Sequence, residues 1–194
     1  MNKTDSKVFT TLGSSKHSKQ ERQKHDYYST DPRCVDDLLR VESFNYAVWE
    51  PACGEGHISK RLEQFDFRVK SSDLIDRQYG EVKDFLSIDV QSWTGDIITN
   101  PPYKYAQEFV EKSLNIVATG NKIAMFLKLQ FLEGQKRKEL FKIHPPKTIY
   151  VYSQRQVCAM NGKTEEWKKK GSAIAYCWFV WVKGYNGKPQ IEWI

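Results

Sequence analysis

Tyr46-Ala47-Val48-Trp49-Glu50-Pro51-Ala52-Cys53-Gly54-Glu55-Gly56 is the stretch on which the fold turns. Its first five residues read as a short buried strand, and the apolar positions Ile58, Leu62 and Phe65 that follow the glycines recur at helical spacing. A strand, a glycine turn and a helix in that order open a doubly wound α/β sheet, whose ligands lie at the carboxyl ends of the strands. Gly54 and Gly56 let the backbone turn tightly and come close to a ligand, while Glu50 at the strand end can meet a cationic group. A dinucleotide fingerprint needs a third glycine where Ser59 stands, so NAD binding is disfavoured.

Outward from the turn, Phe67 to Ser72 reads as a second strand ending at Asp73. An acidic side chain roughly 20 residues past such a turn is where a ribose diol is gripped. The plainer alternative for Asp73 is a turn or cap residue. Further on, the apolar run Asp96-Ile97-Ile98-Thr99 leads into Asn100-Pro101-Pro102-Tyr103, a polar amide, two rigid prolines and an aromatic ring at a strand's carboxyl end. The exocyclic amine of adenine is a poor nucleophile because its lone pair is delocalised into the ring. If the Asn100 side-chain oxygen and the Pro101 carbonyl accept its hydrogens, the lone pair is freed for attack on a methyl donor. Prolines hold such a loop in one shape, and Tyr103 offers a face for a base taken out of its stack. A Pro-Pro turn with a surface tyrosine is the bland alternative.

The rest of the chain suits an open sheet. Ala106, Phe109, Val110, Leu114 and Val117 follow helical spacing, Lys122 to Lys128 is a near-continuous apolar strand, and Gln135 to Ile143 reads as a helix with a solvated basic face. Thr148 to Tyr152 and Ala173 to Val182 read as strands, and Trp178, Phe179 and Trp181 as core. Between them, residues 153–172 form a polar, basic hairpin insert carrying Arg155, Lys163, Lys168, Lys169 and Lys170 with Gln154, Gln156, Asn161 and Trp167. Lysines on phosphates and Gln, Asn or Trp near bases would suit nucleic acid, and an ordinary solvated loop is the alternative. Residues 1–26 read as a flexible basic tail, which leaves residues 27–194 as a single domain.

The 194 residues carry a formal charge of +6 and are 40% hydrophobic, which favours a polyanionic partner and gives one core without disulfides. Cys34, Cys53, Cys158 and Cys177 form no C-x-x-C pair and the histidines no H-x-x-x-H pair, so no zinc site is expected. No apolar stretch approaches the roughly 20 residues needed to span a bilayer, and the N-terminus is not signal-like, so a reducing cytoplasm is the expected setting.

Glu50-Pro51-Ala52-Cys53-Gly54-Glu55-Gly56, Asp73, Asp84-Phe85-Leu86 and Asn100-Pro101-Pro102-Tyr103, in this order, resemble the class I S-adenosylmethionine-dependent N6-adenine DNA methyltransferases, above all their small phage and prophage members. Tyr28-Ser29-Thr30-Asp31-Pro32 is similar to the N-terminal motif that closes over the methionine end of the cofactor. The resemblance implies a Rossmann-like seven-stranded sheet, mostly parallel with an antiparallel C-terminal hairpin and helices on both faces. It implies Glu50, Cys53, Gly54 and Gly56 at the methionine portion of S-adenosylmethionine, Asp73 at the ribose and Asp84 with Phe85 at the adenine. Asp31 would meet the amino-acid end, and Asn100, Pro101 and Tyr103 would be catalytic. The partner implied is DNA in a bacterial host cell, with protection from restriction as one purpose. No separate target-recognition domain is expected, so specificity would come from the insert, from a dimer or another partner, or be weak. The same tetrapeptide serves enzymes that methylate ribosomal RNA bases and protein glutamine, which keeps those substrates open. A catalytically silent nucleic-acid-binding module is the more distant alternative.

Overall fold

The structure, a computed structural model, describes residues 27–89, 92–160, 162–168 and 174–194. The tail 1–26 and the side chains of Lys168, Lys169 and Lys170 lie outside what is described. Among the described residues there are ten strands: β1 (Tyr28–Ser29), β2 (Ala47–Glu50), β3 (Arg68–Asp73), β4 (Glu81–Val82), β5 (Asp96–Thr99), β6 (Lys122–Lys128), β7 (Thr148–Val151), β8 (Ala159–Met160), β9 (Tyr176–Val182) and β10 (Gln190–Trp193). The α-helices are α1 (Arg33–Val41), α2 (His57–Glu63), α3 (Ala106–Ile116) and α4 (Gln135–Ile143).

Eight strands form the main sheet in the order β10-β7-β9-β6-β5-β2-β3-β4. All neighbours are parallel except at β9, which is antiparallel to both β6 and β7. The expected count of seven is exceeded because Gln190–Trp193 adds a parallel strand outside β7, in register Ile191 to Ile149. Its four residues are exposed, so no apolar run announced it in the sequence. A small second sheet pairs β1 with β8.

The helices divide between the two faces. Cys34, Val35 and Leu38 of α1 and Ile58 and Leu62 of α2 pack with Val48, Ile98, Phe126, Trp178 and Val180. Phe109, Val110 and Leu114 of α3 and Leu140 of α4 pack on the other face with Trp49, Ile97, Ile123, Met125, Phe179 and Trp181. Alternation along β9 therefore sends Trp178 to one layer and Phe179 and Trp181 to the other, and all three are buried. Each such side chain contributes about 1.5–3 kcal/mol by leaving water. Helix α2 ends at Glu63, so Phe65 lies beyond it and is exposed.

Asp96 sets the register where β5 begins. Its buried carboxylate accepts the Asn45 backbone N–H at 2.6 Å, the Asn45 amide at 3.0 Å and the Lys122 backbone N–H at 2.7 Å, joining the approaches to β2 and β6. These strands then deliver Glu50 and Asn100 to the same end of the sheet, with Asp73 at the end of β3 beside them.

Candidate active site

Asn100 follows the four buried residues of β5. Its Nδ2 donates to the Tyr28 carbonyl at 2.9 Å and to Thr30 Oγ1 at 2.9 Å. A main-chain carbonyl only accepts, so this network fixes which end of the amide is NH2. The opposite end, Oδ1, is buried and has no hydrogen-bond partner among the described residues. A carbonyl-type acceptor is thereby left unengaged among the described residues. Pro102 O closes the following turn by accepting the Tyr105 N–H at 2.9 Å, so the proline carbonyl assigned to chemistry, that of Pro101, is not the one that closes it.

Tyr103 is enclosed by other aromatic rings. Tyr28 stacks on it with centroids 5.4 Å apart at 30°, and Tyr176 lies at 6.1 Å and 35°. The Lys128 ammonium sits 4.5 Å from the Tyr103 centroid. The Tyr103 hydroxyl and Cys158 Sγ are 3.7 Å apart. Burial, then the neighbouring Cys158, pushes the phenol well above its ordinary range, and burial pushes the Cys158 thiol up to about 12. Both stay neutral near pH 7, so Tyr103 offers a ring face and a hydroxyl but no phenolate base.

The glycine turn lies at the end of β2. Gly54 and Gly56 have φ of 54° and 80°, a region that side chains rarely adopt. Their bare Cα atoms are approached by rings, since an added Cβ would lie 2.3 Å from Tyr27 at Gly54 and 2.4 Å from Tyr79 at Gly56. The sequence reading had a ligand come close to these glycines, and in this structure tyrosine rings lie against them. Asp73 accepts the Gly54 N–H at 2.8 Å through Oδ2 and the Ile75 N–H at 2.9 Å through Oδ1, so it holds the turn to the end of β3. Glu50 accepts the Ser59 N–H at 2.8 Å and the Ser59 hydroxyl. Ser59, read above only as a missing glycine, is thus the partner of the strand-end acid. Burial outweighs those two bonds and holds the Glu50 carboxyl well above the ordinary glutamate range. The Cys53 thiol is pushed up to about 12 by burial and then by Glu50 and Asp73.

The remaining candidates are placed as follows. Asp84 accepts the Leu86 N–H at 3.0 Å within its own turn, and the Phe85 ring is 1% exposed between Trp49 and Phe109. Asp31 is buried and its carboxylate is taken by the backbone and guanidinium of Arg33. Arg155 and Lys163 are exposed on the insert. Sequence reasoning missed Tyr27, whose hydroxyl accepts the Glu55 N–H at 3.4 Å and whose ring carries the Arg77 guanidinium at 4.0 Å. The Tyr28 ring, at the start of the segment likened to a motif that closes over the cofactor, lies on Tyr103. The adjacent aromatic pair Tyr27-Tyr28 ahead of Ser-Thr-Asp-Pro was the available signal. A cavity of about 680 Å³ runs along β3, lined by Arg68, Lys70, Ser71, Tyr79, Gly80 and Trp93 among others. It adjoins the turn through Tyr79 and Gly80 but is not lined by Asn100 or Tyr103. Among the described residues no cluster of three His, Cys, Asp or Glu side chains could hold a metal, and no helix is long and apolar enough to cross a membrane.

No family model matches this chain, and no curated protein does. Solved structures do. A Listeria monocytogenes protein assigned as a class I S-adenosylmethionine-dependent methyltransferase superposes with TM-score 0.56 at 13% identity, covering 96% of this chain and 70% of its own. A Pyrococcus horikoshii protein assigned as an RNA methyltransferase gives 0.58 at 14%, covering 81% and 87%. The type IIG restriction endonuclease BpuSI gives 0.54 at 14%, over 80% of this chain and 24% of that one. At such identities the likeness is one of architecture, and the architecture of this chain is that of the class I S-adenosylmethionine-dependent methyltransferases.

Proposed function

We propose that this protein methylates the N6 amine of adenine in DNA, using S-adenosylmethionine. The observation that carries the proposal is the Asn100 amide, whose NH2 is committed to Tyr28 and Thr30 while its buried oxygen has no partner among the described residues. A buried unpartnered acceptor costs about 1–3 kcal/mol and is satisfied by a ligand N–H. An exocyclic amine supplies one.

The residues at the end of β2 fit an S-adenosyl group in kind. Asp73, which holds the Gly54 N–H, would take the ribose hydroxyls, and Glu50 and Cys53 line the turn. When bound there, the cofactor would supply an electrophilic methyl group. The chain's own residues do the rest. Asn100 Oδ1 and the Pro101 carbonyl accept the two amine hydrogens, which localises the nitrogen lone pair, and Tyr103 holds the extruded base by its ring. The extra proton of the methylated amine is acidic enough to leave to water, so no dedicated base is needed. Arg155, Lys163, Lys168, Lys169 and Lys170 would hold the phosphates.

The test is to incubate the protein with methyl-labelled S-adenosylmethionine and, separately, unmethylated duplex DNA, total RNA and protein extract, then identify the product by mass spectrometry. N6-methyladenine in DNA is expected. Label in RNA or glutamine would keep the chemistry and replace the substrate, and no label anywhere would refute the proposal.

A further inference from the structure

The two edges of the main sheet are finished differently. At one, β4 is two residues long and carries the Lys83–Glu81 ion pair, the short and charged kind of edge that resists further pairing. At the other, β10 has four residues, with Ile191 52% and Trp193 71% exposed, and among the described residues no strand lies beyond it. The Gln190 N–H donates to the Lys147 carbonyl and the Ile194 N–H to the Val151 carbonyl, each at 3.0 Å, so Gln190 and Ile194 face β7. Alternation puts Glu192 with them and turns the main-chain N–H and C=O groups of Ile191 and Trp193 away from β7. The Ile191 and Trp193 side chains continue the row of their strand partners Ile149 and Val151, on the face where α3 and α4 pack. An apolar row and a row of main-chain groups thus share one open edge.

We infer that this edge pairs with the β10 of a second copy of the chain, antiparallel about a twofold axis, with Ile191 opposite Ile191. The strand's own sequence selects both the partner and the register. Centred on Ile191, the pairing lets each Ile191 exchange its outward hydrogen bonds with the other, offers the Pro189 carbonyl to the Trp193 N–H, and sets Glu192 opposite Gln190 on the far face. Pro189 has no N–H, and here only its carbonyl is called on. Shifted one way along the strand, Glu192 would oppose Glu192, and like charges directly opposite are destabilising. Shifted the other way, Ile191 would meet Pro189 and Trp193 would lie beyond the paired residues. A strand that matches itself in this manner is what an isologous interface requires. Specific dimers bury about 1,200–2,000 Å² in all, and one short edge supplies less, so the association belongs at micromolar concentrations. Because the axis reverses strand direction, the two eight-stranded sheets join into one and the two Asn100 loops face opposite ends of it.

The experiment is analytical ultracentrifugation of the full chain across a concentration series from about 1 to about 300 μM, which brackets the affinity expected of so small an interface. A monomer–dimer equilibrium with a micromolar Kd is expected. Ile191→Lys sets two ammonium groups against each other at the axis and should weaken the dimer roughly tenfold or more, with an unchanged melting temperature at low concentration showing that this exposed substitution leaves the fold intact. Gln190→Lys faces Glu192 of the other copy and should tighten the dimer a few-fold, as a cross-strand pair of opposite charge does. Dimerisation through β10 is overturned if the chain stays monomeric over the whole series, or if the dimer survives Ile191→Lys undiminished, which would place the contact elsewhere. Gln190→Lys without tightening overturns the register.

Discussion

At the scale of single residues, Asn100, Asp73 and Glu50 answer to different measurements. Asn100→Ala removes an acceptor whose interaction strengthens as charge develops, so kcat is expected to fall about 10²–10³-fold while S-adenosylmethionine affinity holds. An equal loss in both, read by single-turnover kinetics and titration, would mean that Asn100 only shapes the pocket. Asp73→Ala takes away an acceptor for the Gly54 and Ile75 N–H groups together with the proposed ribose contact. It should weaken the cofactor and lower stability by about 1–3 kcal/mol, whereas a stability loss with unchanged cofactor affinity marks Asp73 as a turn residue alone. Glu50 carries a pH signature. Burial raises its carboxyl above the ordinary value near 4.5, so the native state holds the proton more tightly than the unfolded chain. Its contribution is fully present below that value and is lost as pH climbs toward the raised one. Glu50→Gln should flatten this decline in urea titrations run between acid and neutral pH, and an unchanged slope would show that Glu50 ionises normally.

Among the elements, Asp96 is the stitch whose loss the sheet should feel most. Asp96→Ala strands the Asn45 and Lys122 N–H groups, and denaturant unfolding should show about 2–3 kcal/mol less stability. The elements also show what the sequence could and could not convey. β5, β6 and α4 begin and end where the apolar pattern places them, because burial on one or both faces leaves a continuous or periodic signal. Strand β10, with four exposed residues, has no such signal, and two-residue strands such as β1 and β8 are defined only by the partner they find. In the site, the glycine turn and the Asn-Pro-Pro-Tyr loop were legible because local backbone needs dictate their residue types. The placement of Tyr27 and Tyr28 was not, since it depends on segments far apart in sequence folding over the same strand ends.

For the molecule as a whole, a bound cofactor should raise thermal stability by mass action. At about 100 times Kd the gain is about 2.7 kcal/mol, or roughly 5–10 °C in Tm for a domain of this size. A melting curve indifferent to saturating S-adenosylmethionine would contradict binding at the turn. The formal charge of +6 adds that substrate affinity should fall steeply with salt. How the protein would choose among bases follows from the stacked pair of Tyr28 and Tyr103. Tyr176 is buried against Phe126 in the core, whereas Tyr28 belongs to a two-residue strand, so a base entering as proposed would displace Tyr28 and exchange one stack for another. Any nucleobase can make that exchange, which leaves the edge as the discriminator. Adenine and cytosine would turn an amine toward Asn100 Oδ1, while the O6 of guanine and the O4 of thymine would set oxygen against oxygen, so on the proposed function fidelity would be a matter of repelling carbonyls.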